Sequence, residues 1–157
     1  MGLRLRPFRD DELPGFVERG TAQYVRDLAE NAGLSREQAE AKAERDWAQL
    51  LPGGRVQPDH FLYAIEDELT GEQVGDLWYA KRSIEFEGTF GYVYAIEIRE
   101  RFRGFGRRAM LLLEDDVRAA GLTAIALNVF GGNEAARSLY LSLGYAEAAV
   151  WMRKRLG

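Results

Sequence analysis

The run from Thr89 to Arg108, TFGYVYAIEIRERFRGFGRR, constrains the fold of this chain more than any other. Residues 89–100 are aromatic and β-branched over a length that suits a central strand. Residues 101–108 then bring four arginines and two glycines together. Beyond them Ala109, Leu112, Leu113, Val117 and Ala120 recur on one face of a helix expected over 104–120. A strand thus feeds a helix through a glycine turn. The first turn of a helix carries unpaired N–H groups and the positive end of the dipole. Gly104 and Gly106 let a bulky anion approach that backbone, and Arg101, Arg103, Arg107 and Arg108 add charge around it. The junction is a candidate anion seat. Taken alone, the same residues also fit a tight turn with a solvated basic rim.

The flanking sequence supplies the other elements. LRLRP (3–7) reads as a first strand stopped by Pro7. Leu13, Phe16, Val17, Gly20, Tyr24 and Leu28 follow at helical spacing, ending at Asn31-Ala-Gly33. Ser35 and Gln38 form a capping box for a second helix, with Ala39, Ala43, Trp47 and Leu50 on one face. Segments 60–67 and 72–83 predict a hairpin around Thr70-Gly71. TAIALNVF (123–130) predicts a short buried strand, 133–143 a helix capped by Asn133, and 145–155 a final strand or strand pair. The expected order is β-α-α-β-β-β-α-β-α-β, an α/β layered fold with a mixed sheet. Within 89–100, strict alternation puts Val93, Ala95 and Glu97 on one face and Tyr94, Ile96 and Ile98 on the other.

With 157 residues, the whole chain 1–157 is expected to form one domain. A net charge of −4 argues against general nucleic-acid binding, so the arginines of 101–108 are a local feature. The absence of cysteine removes thiolate catalysis and Cys-based metal sites, and a single histidine, His60, cannot assemble a zinc site, so no metal is expected. No G-x-S-x-G elbow accompanies that histidine. His60 is read as the start of a strand. No uncharged run is long enough to cross a bilayer, and the N-terminus lacks a signal-peptide core, so a cytoplasmic location and no membrane partner are expected.

Two phosphate-binding patterns compete for the turn. Gly104-x-Gly106-x-x-Ala109 fits the loose dinucleotide fingerprint, but the following strand, TAIALNVF, offers no acidic residue for a ribose. The other pattern is a family resemblance. Arg101-x-x-Gly104-x-Gly106 resembles the Q/R-x-x-G-x-G/A signature of the GCN5-related N-acetyltransferases (GNAT). Asn133, Ala136, Leu139, Tyr140, Gly144 and Tyr145 resemble that family's second block, and the element order agrees along the chain. The resemblance implies a mixed, mostly antiparallel central sheet flanked by helices. Residues 89–145 would be an acetyl-CoA-binding core and 8–58 a helical region on the acceptor side.

The resemblance also implies roles. The N–H groups of Arg103, Gly104, Phe105, Gly106, Arg107 and Arg108, with Arg101, would hold the CoA pyrophosphate. Ile96 and Ile98 would flank the pantetheine and acetyl group by strand addition, with an N–H near Ile98 polarising the thioester carbonyl. Asn133 would contact the cofactor, cap its helix, or do both. Tyr140 would stand beside the thioester sulfur and protonate the departing thiolate. A carboxylate in a central strand is costly unless paired or used. Glu97 therefore either serves as general base or ammonium anchor, or forms a salt bridge with Arg99. No activated nucleophile for an acyl-enzyme is visible, which favours direct attack by a primary amine in a ternary complex. Tyr24, Trp47, Leu77, Trp78 and Tyr79 are candidates for an acceptor pocket, most of them expected in the core. The acidic balance favours a cationic acceptor such as a polyamine, an aminoglycoside or a protein amine. A non-catalytic acyl-CoA-binding module on the same fold is the alternative. The segment VWMRKR is a candidate strand for pairing across a homodimer.

Overall fold

The computed structural model describes residues 2–85, 88–99 and 102–157. A five-stranded sheet runs in the order β1-β2-β3-β4-β5. Its strands are β1 Leu3–Pro7, β2 His60–Asp67, β3 Gln73–Ile84, β4 Gly88–Ile98 and β5 Ile125–Leu127. Helices α1 Leu13–Asn31 and α2 Arg36–Leu50 follow β1, α3 Gly106–Ala119 joins β4 to β5, and α4 Glu134–Ser142 comes last. Pairing is antiparallel except between β4 and β5. A parallel pair needs a crossover, and α3 supplies it.

Local signals act where the sequence places them. The Ser35 hydroxyl accepts from the Gln38 N–H at 3.2 Å, and the Gln38 side chain accepts from the Ser35 N–H at 2.9 Å. The β2–β3 turn is held by Asp67, whose carboxylate accepts from the Leu69 N–H at 2.8 Å. The Asn133 side chain accepts from the Ala136 N–H at 3.2 Å and caps α4.

Each sheet face is covered differently. On one, Ala109, Met110, Leu113 and Val117 of α3 pack with Leu3, Ile65, Val74, Leu77, Tyr79 and Val93. On the other, Leu13, Phe16 and Leu51 from the α1–α2 side pack with Leu62 and Trp78. Leu77 and Tyr79 are therefore core residues of the α3 face. At the sheet's first strand the carboxylate of Glu66, 5 % exposed, accepts from Arg4 at 3.0 Å and Arg6 at 2.5 Å. Arg6 also reaches Glu12 at 2.8 Å, tying the start of α1 to β1.

Three sequence expectations change. First, β3 and β4 slip register by one residue: Trp78 faces Ala95 while Tyr79 faces Val93, so Tyr94 is an extra residue on β4. This bulge breaks the strict alternation. Val93 packs on the α3 face with Ile96 and Ile98, whereas Tyr94 and Ala95 pack on the α1 face around Trp78. Second, β5 is paired over three residues, fewer than 123–130 promised. Third, the strand expected over 145–155 is absent: among the described residues no regular element follows α4. Strand formation requires an edge to pair with, and this segment instead reaches the end of α1 through side chains. Arg153 donates to the carbonyls of Asn31 and Ala32, and Arg155 to that of Gly33. Trp151 is left 80 % exposed. Strand pairing of VWMRKR across a dimer accordingly has no strand to start from.

Candidate active site

β4 and β5 run together for only three residues, from Gly91 opposite Ile125 to Val93 opposite Leu127. Beyond Val93 the β5 partner ends while β4 continues to Ile98. On its other edge β4 stays paired, with Asp76 opposite Glu97 and Gly75 opposite Ile98. The backbone of residues 94–98 therefore keeps one edge without a β5 partner, and an unpaired strand edge is a template for an extended ligand. Ile96 and Ile98 lie along it and lean on the α3-side core.

The glycine turn opens at the end of that edge. Gly104 has φ +103°, a conformation that side chains with a Cβ rarely adopt. Among the described residues other than its two chain neighbours, no atom lies within 4 Å of where its Cβ would be, so they leave clear space in front of this backbone. Gly106 begins α3, packed against Leu139 of α4 so closely that an added Cβ would meet it at 3.1 Å. Phe105 precedes the helix, and the Arg108 guanidinium lies 5.8 Å over its ring. Arg107 donates to the Ser142 hydroxyl at 2.6 Å, joining the starting turn of α3 to α4. Arg103 is exposed on the turn. Arg101 lies outside the described residues. The clear backbone, the helix start and the surrounding guanidinium groups fit a diphosphate in chemistry.

Tyr140 projects from α4 and packs against the α3-side core beside Tyr145, with ring centroids 5.8 Å apart. Burial raises its phenol above the usual pKa, so it stays a proton donor across the neutral range. Asn133 is exposed at the start of α4, its side-chain oxygen engaged as the cap.

Glu97 stands on the opposite face of β4 from Ile96 and Ile98. Among the described residues its side chain makes no hydrogen bond or ion pair, so the alternative of a bridge to Arg99 is not realised. Glu97 is exposed at the surface, yet its partial burial against the sheet raises its carboxyl above the ordinary glutamate value. The nearby Asp76 raises it further, against an opposing pull from Arg19 and Arg26 of α1. Gly75 makes this approach possible, since a Cβ there would sit 2.2 Å from the Glu97 carbonyl oxygen.

The rest of this face is aromatic. Tyr94 stacks on His60 at 5.7 Å and lies 4.8 Å from Trp78, which in turn meets Trp47 and Phe16. The Trp78 indole donates to His60 Nδ1 at 3.0 Å, and burial lowers the His60 pKa, so the imidazole is a neutral acceptor. Tyr24 lies farther out, donating to Asp46 of α2 at 2.7 Å. Sequence reasoning missed Asp76 and Arg19. A carboxylate set between Gly75 and Leu77 in an otherwise apolar strand was the available signal for Asp76. Arg19 carried none.

Comparison with known proteins agrees with this fold. The acetyltransferase (GNAT) family profile matches residues 22–145. The Bacillus subtilis protein YdgE, named an uncharacterized N-acetyltransferase, is 27 % identical over 158 residues, spanning 99 % of both chains. A mycothiol acetyltransferase of Propionibacterium freudenreichii subsp. shermanii is 32 % identical over 147 residues, covering 92 % of this chain and 43 % of that one. The crystal structure of the putative acetyltransferase YycN from Bacillus subtilis superposes with a TM-score of 0.91 at 26 % identity, over 99 % of each chain.

Proposed function

Because the chain belongs to the acetyltransferase (GNAT) family, we propose that it transfers the acetyl group of acetyl-CoA to a primary amine by direct attack within a ternary complex. The observation that carries this reading is the unpaired edge of β4 leading straight into the clear glycine turn before α3. Acetyl-CoA is a substrate here and supplies the thioester. Backbone N–H groups from Arg103 to Arg108 hold its pyrophosphate, the edge at Ile96 and Ile98 takes the pantetheine, and Asn133 lies beside it. Residues 89–145 form the donor half, and 8–58 covers the acceptor.

The amine reaches the acetyl carbon from the α1 side of β4. An alkylammonium ion must lose a proton before it can attack. Glu97 receives that proton, directly or through water, and its raised pKa brings it nearer to the task. The nitrogen–carbon bond forms, the nitrogen gives up its second proton to water, the carbon–sulfur bond breaks, and the electron pair leaves on the CoA sulfur. Tyr140 donates its phenolic proton to that thiolate and regains one from water. The thiolate is the weaker base of the two, so a strong hydrogen bond already stabilises it. Holding both reactants together supplies much of the acceleration.

The acceptor is an amine of cationic character. The mycothiol enzyme and the aminoglycoside 6'-N-acetyltransferase among the structural neighbours bear names of small-molecule acceptors. Another neighbour is named a ribosomal-protein-alanine N-acetyltransferase. The chain's net charge of −4 suits a cationic partner. The test is release of free thiol from acetyl-CoA against a panel of polyamines, aminoglycosides and peptide amines. At least one amine should be turned over, and Glu97→Gln should lower that turnover about 10²- to 10⁴-fold without changing CoA affinity. Tight CoA binding with no turnover on any amine would point instead to a binding module.

A further inference from the structure

Asp76 has no part in the chemistry above, yet it stands directly across the β3–β4 register from Glu97. It is 4 % exposed. A carboxylate so buried is costly without partners. It has two: Arg19 of α1, donating from Nη2 at 3.3 Å to Oδ2, and the Gln73 amide, donating at 2.5 Å to Oδ1. Glu97 has none among the described residues. Arg19 acts electrostatically on both carboxylates, but it pairs with the buried one.

Resting on the reading of Glu97 as proton acceptor, we propose that Asp76 is a positioning residue which keeps Arg19 in an ion pair with itself and so leaves Glu97 unpaired for the incoming amine. A general base already salt-bridged to an arginine is held ionised, accepts protons poorly, and has one fewer lone pair to offer an ammonium. Asp76 prevents this in two ways of the same sign. Its own charge disfavours ionisation of Glu97, and its grip on Arg19 withholds the cation that would favour it. The groups facing Glu97 are Asp76 from β3 and Arg19, Arg26 and Asp27 from α1. The two anions raise its pKa and the two arginines lower it. The pair also fastens the acceptor-side helix to the sheet, so α1 is registered against the catalytic strand by the contact that protects the base.

The test is the titration of the Glu97 side-chain carboxyl by ¹³C NMR, with the resonance assigned by its loss in Glu97→Gln. It needs no knowledge of the acceptor. In the wild type Glu97 titrates above the ordinary glutamate range. In Asp76→Asn it shifts down, and in Arg19→Gln it shifts up. In the double variant it falls below Arg19→Gln, by the direct charge effect of Asp76 alone. A Glu97 titration that does not move in folded Asp76→Asn overturns the proposal. Should that variant fail to fold, the charge-neutral double variant stands in for it, and a Glu97 titration there no lower than in Arg19→Gln overturns the proposal equally. Kinetics separate this from the reading of Glu97 as base. With any accepted amine, the acid limb of kcat/KM should move to lower pH in Asp76→Asn and disappear in Glu97→Gln. An acid limb that survives in Glu97→Gln refutes the base assignment. An intact base whose limb ignores Asp76 refutes only the positioning role.

Discussion

The two faces of β4 are built from the same eleven-residue strand but to different rules. The face toward α3 is apolar: Val93, Ile96 and Ile98 join Met110, Leu113 and Val117, and the β4 edge beside it is left without a partner where β5 ends. The face toward α1 is aromatic and charged, carrying Tyr94, Trp78, His60, Glu97, Asp76 and Arg19. A thioester donor shared by a whole family needs only backbone groups and a smooth wall, which many sequences provide. An acceptor needs side chains placed one by one. In the proposed mechanism the bulge at Tyr94 divides the strand between these tasks, because it sends Val93 and Ala95 to opposite faces.

This contrast can be broken first at Trp78. Trp78→Ala removes the centre of the aromatic cluster, 2 % exposed, and should cost about 3–5 kcal/mol in urea unfolding. The folded fraction should still bind CoA with wild-type affinity. Weakened CoA binding in the folded variant would mean the two faces are not independent. On the other face, Tyr140→Phe should lower turnover about tenfold while leaving CoA affinity and thermal midpoint essentially unchanged. A large drop in the midpoint with normal turnover per folded molecule would make Tyr140 a packing residue.

The smallest effect distinguishes carboxylates by sign. Hydrogen bonding to Arg6 lowers the Glu12 pKa to about 2 from an ordinary 4.5. Its stabilising contribution is therefore complete above pH 4.5 and is lost as pH falls toward 2. Glu97 is shifted the other way, so its ionised form is disfavoured by folding, and the cost appears as pH rises above the unfolded value. Glu12→Gln should lower neutral-pH stability by about 0.5–1 kcal/mol and flatten the acid side of the profile. Glu97→Gln should raise neutral-pH stability slightly. Thermal melts between pH 3 and 7 compare them.

Much of the structure from β4 to α4 was legible because its signals are local. Glycines at fixed offsets, a capping asparagine at 133 and a helical stripe from Ala109 to Val117 all act within a few residues of where they are read. The bulge at Tyr94 was not legible, since it follows from how two strands pair and not from the composition of either. The pairing of Asp76 with Glu97 depends on that same register, and Arg19 approaches from an element 57 residues away in sequence. Glu97 stood out as a charge in a strand expected to be central, although the structure leaves it exposed, and Arg99 was the wrong partner to weigh against it: adjacency in sequence gave no hint of the true neighbours. The last segment failed for a related reason. Alternation in VWMRKR describes a face, while a strand also needs an edge to join, and three residues of β5 provide little.

The proposed seat for the diphosphate is tested most directly by calorimetry of CoA binding at low salt, on the wild type and on Gly104→Val. The wild type should release heat and saturate. The variant should lose affinity at least about tenfold, because valine resists the positive φ of +103° and fills the clear space before the turn. A wild-type protein that shows no heat with CoA or acetyl-CoA, or a folded Gly104→Val that binds as tightly as the wild type, would contradict it.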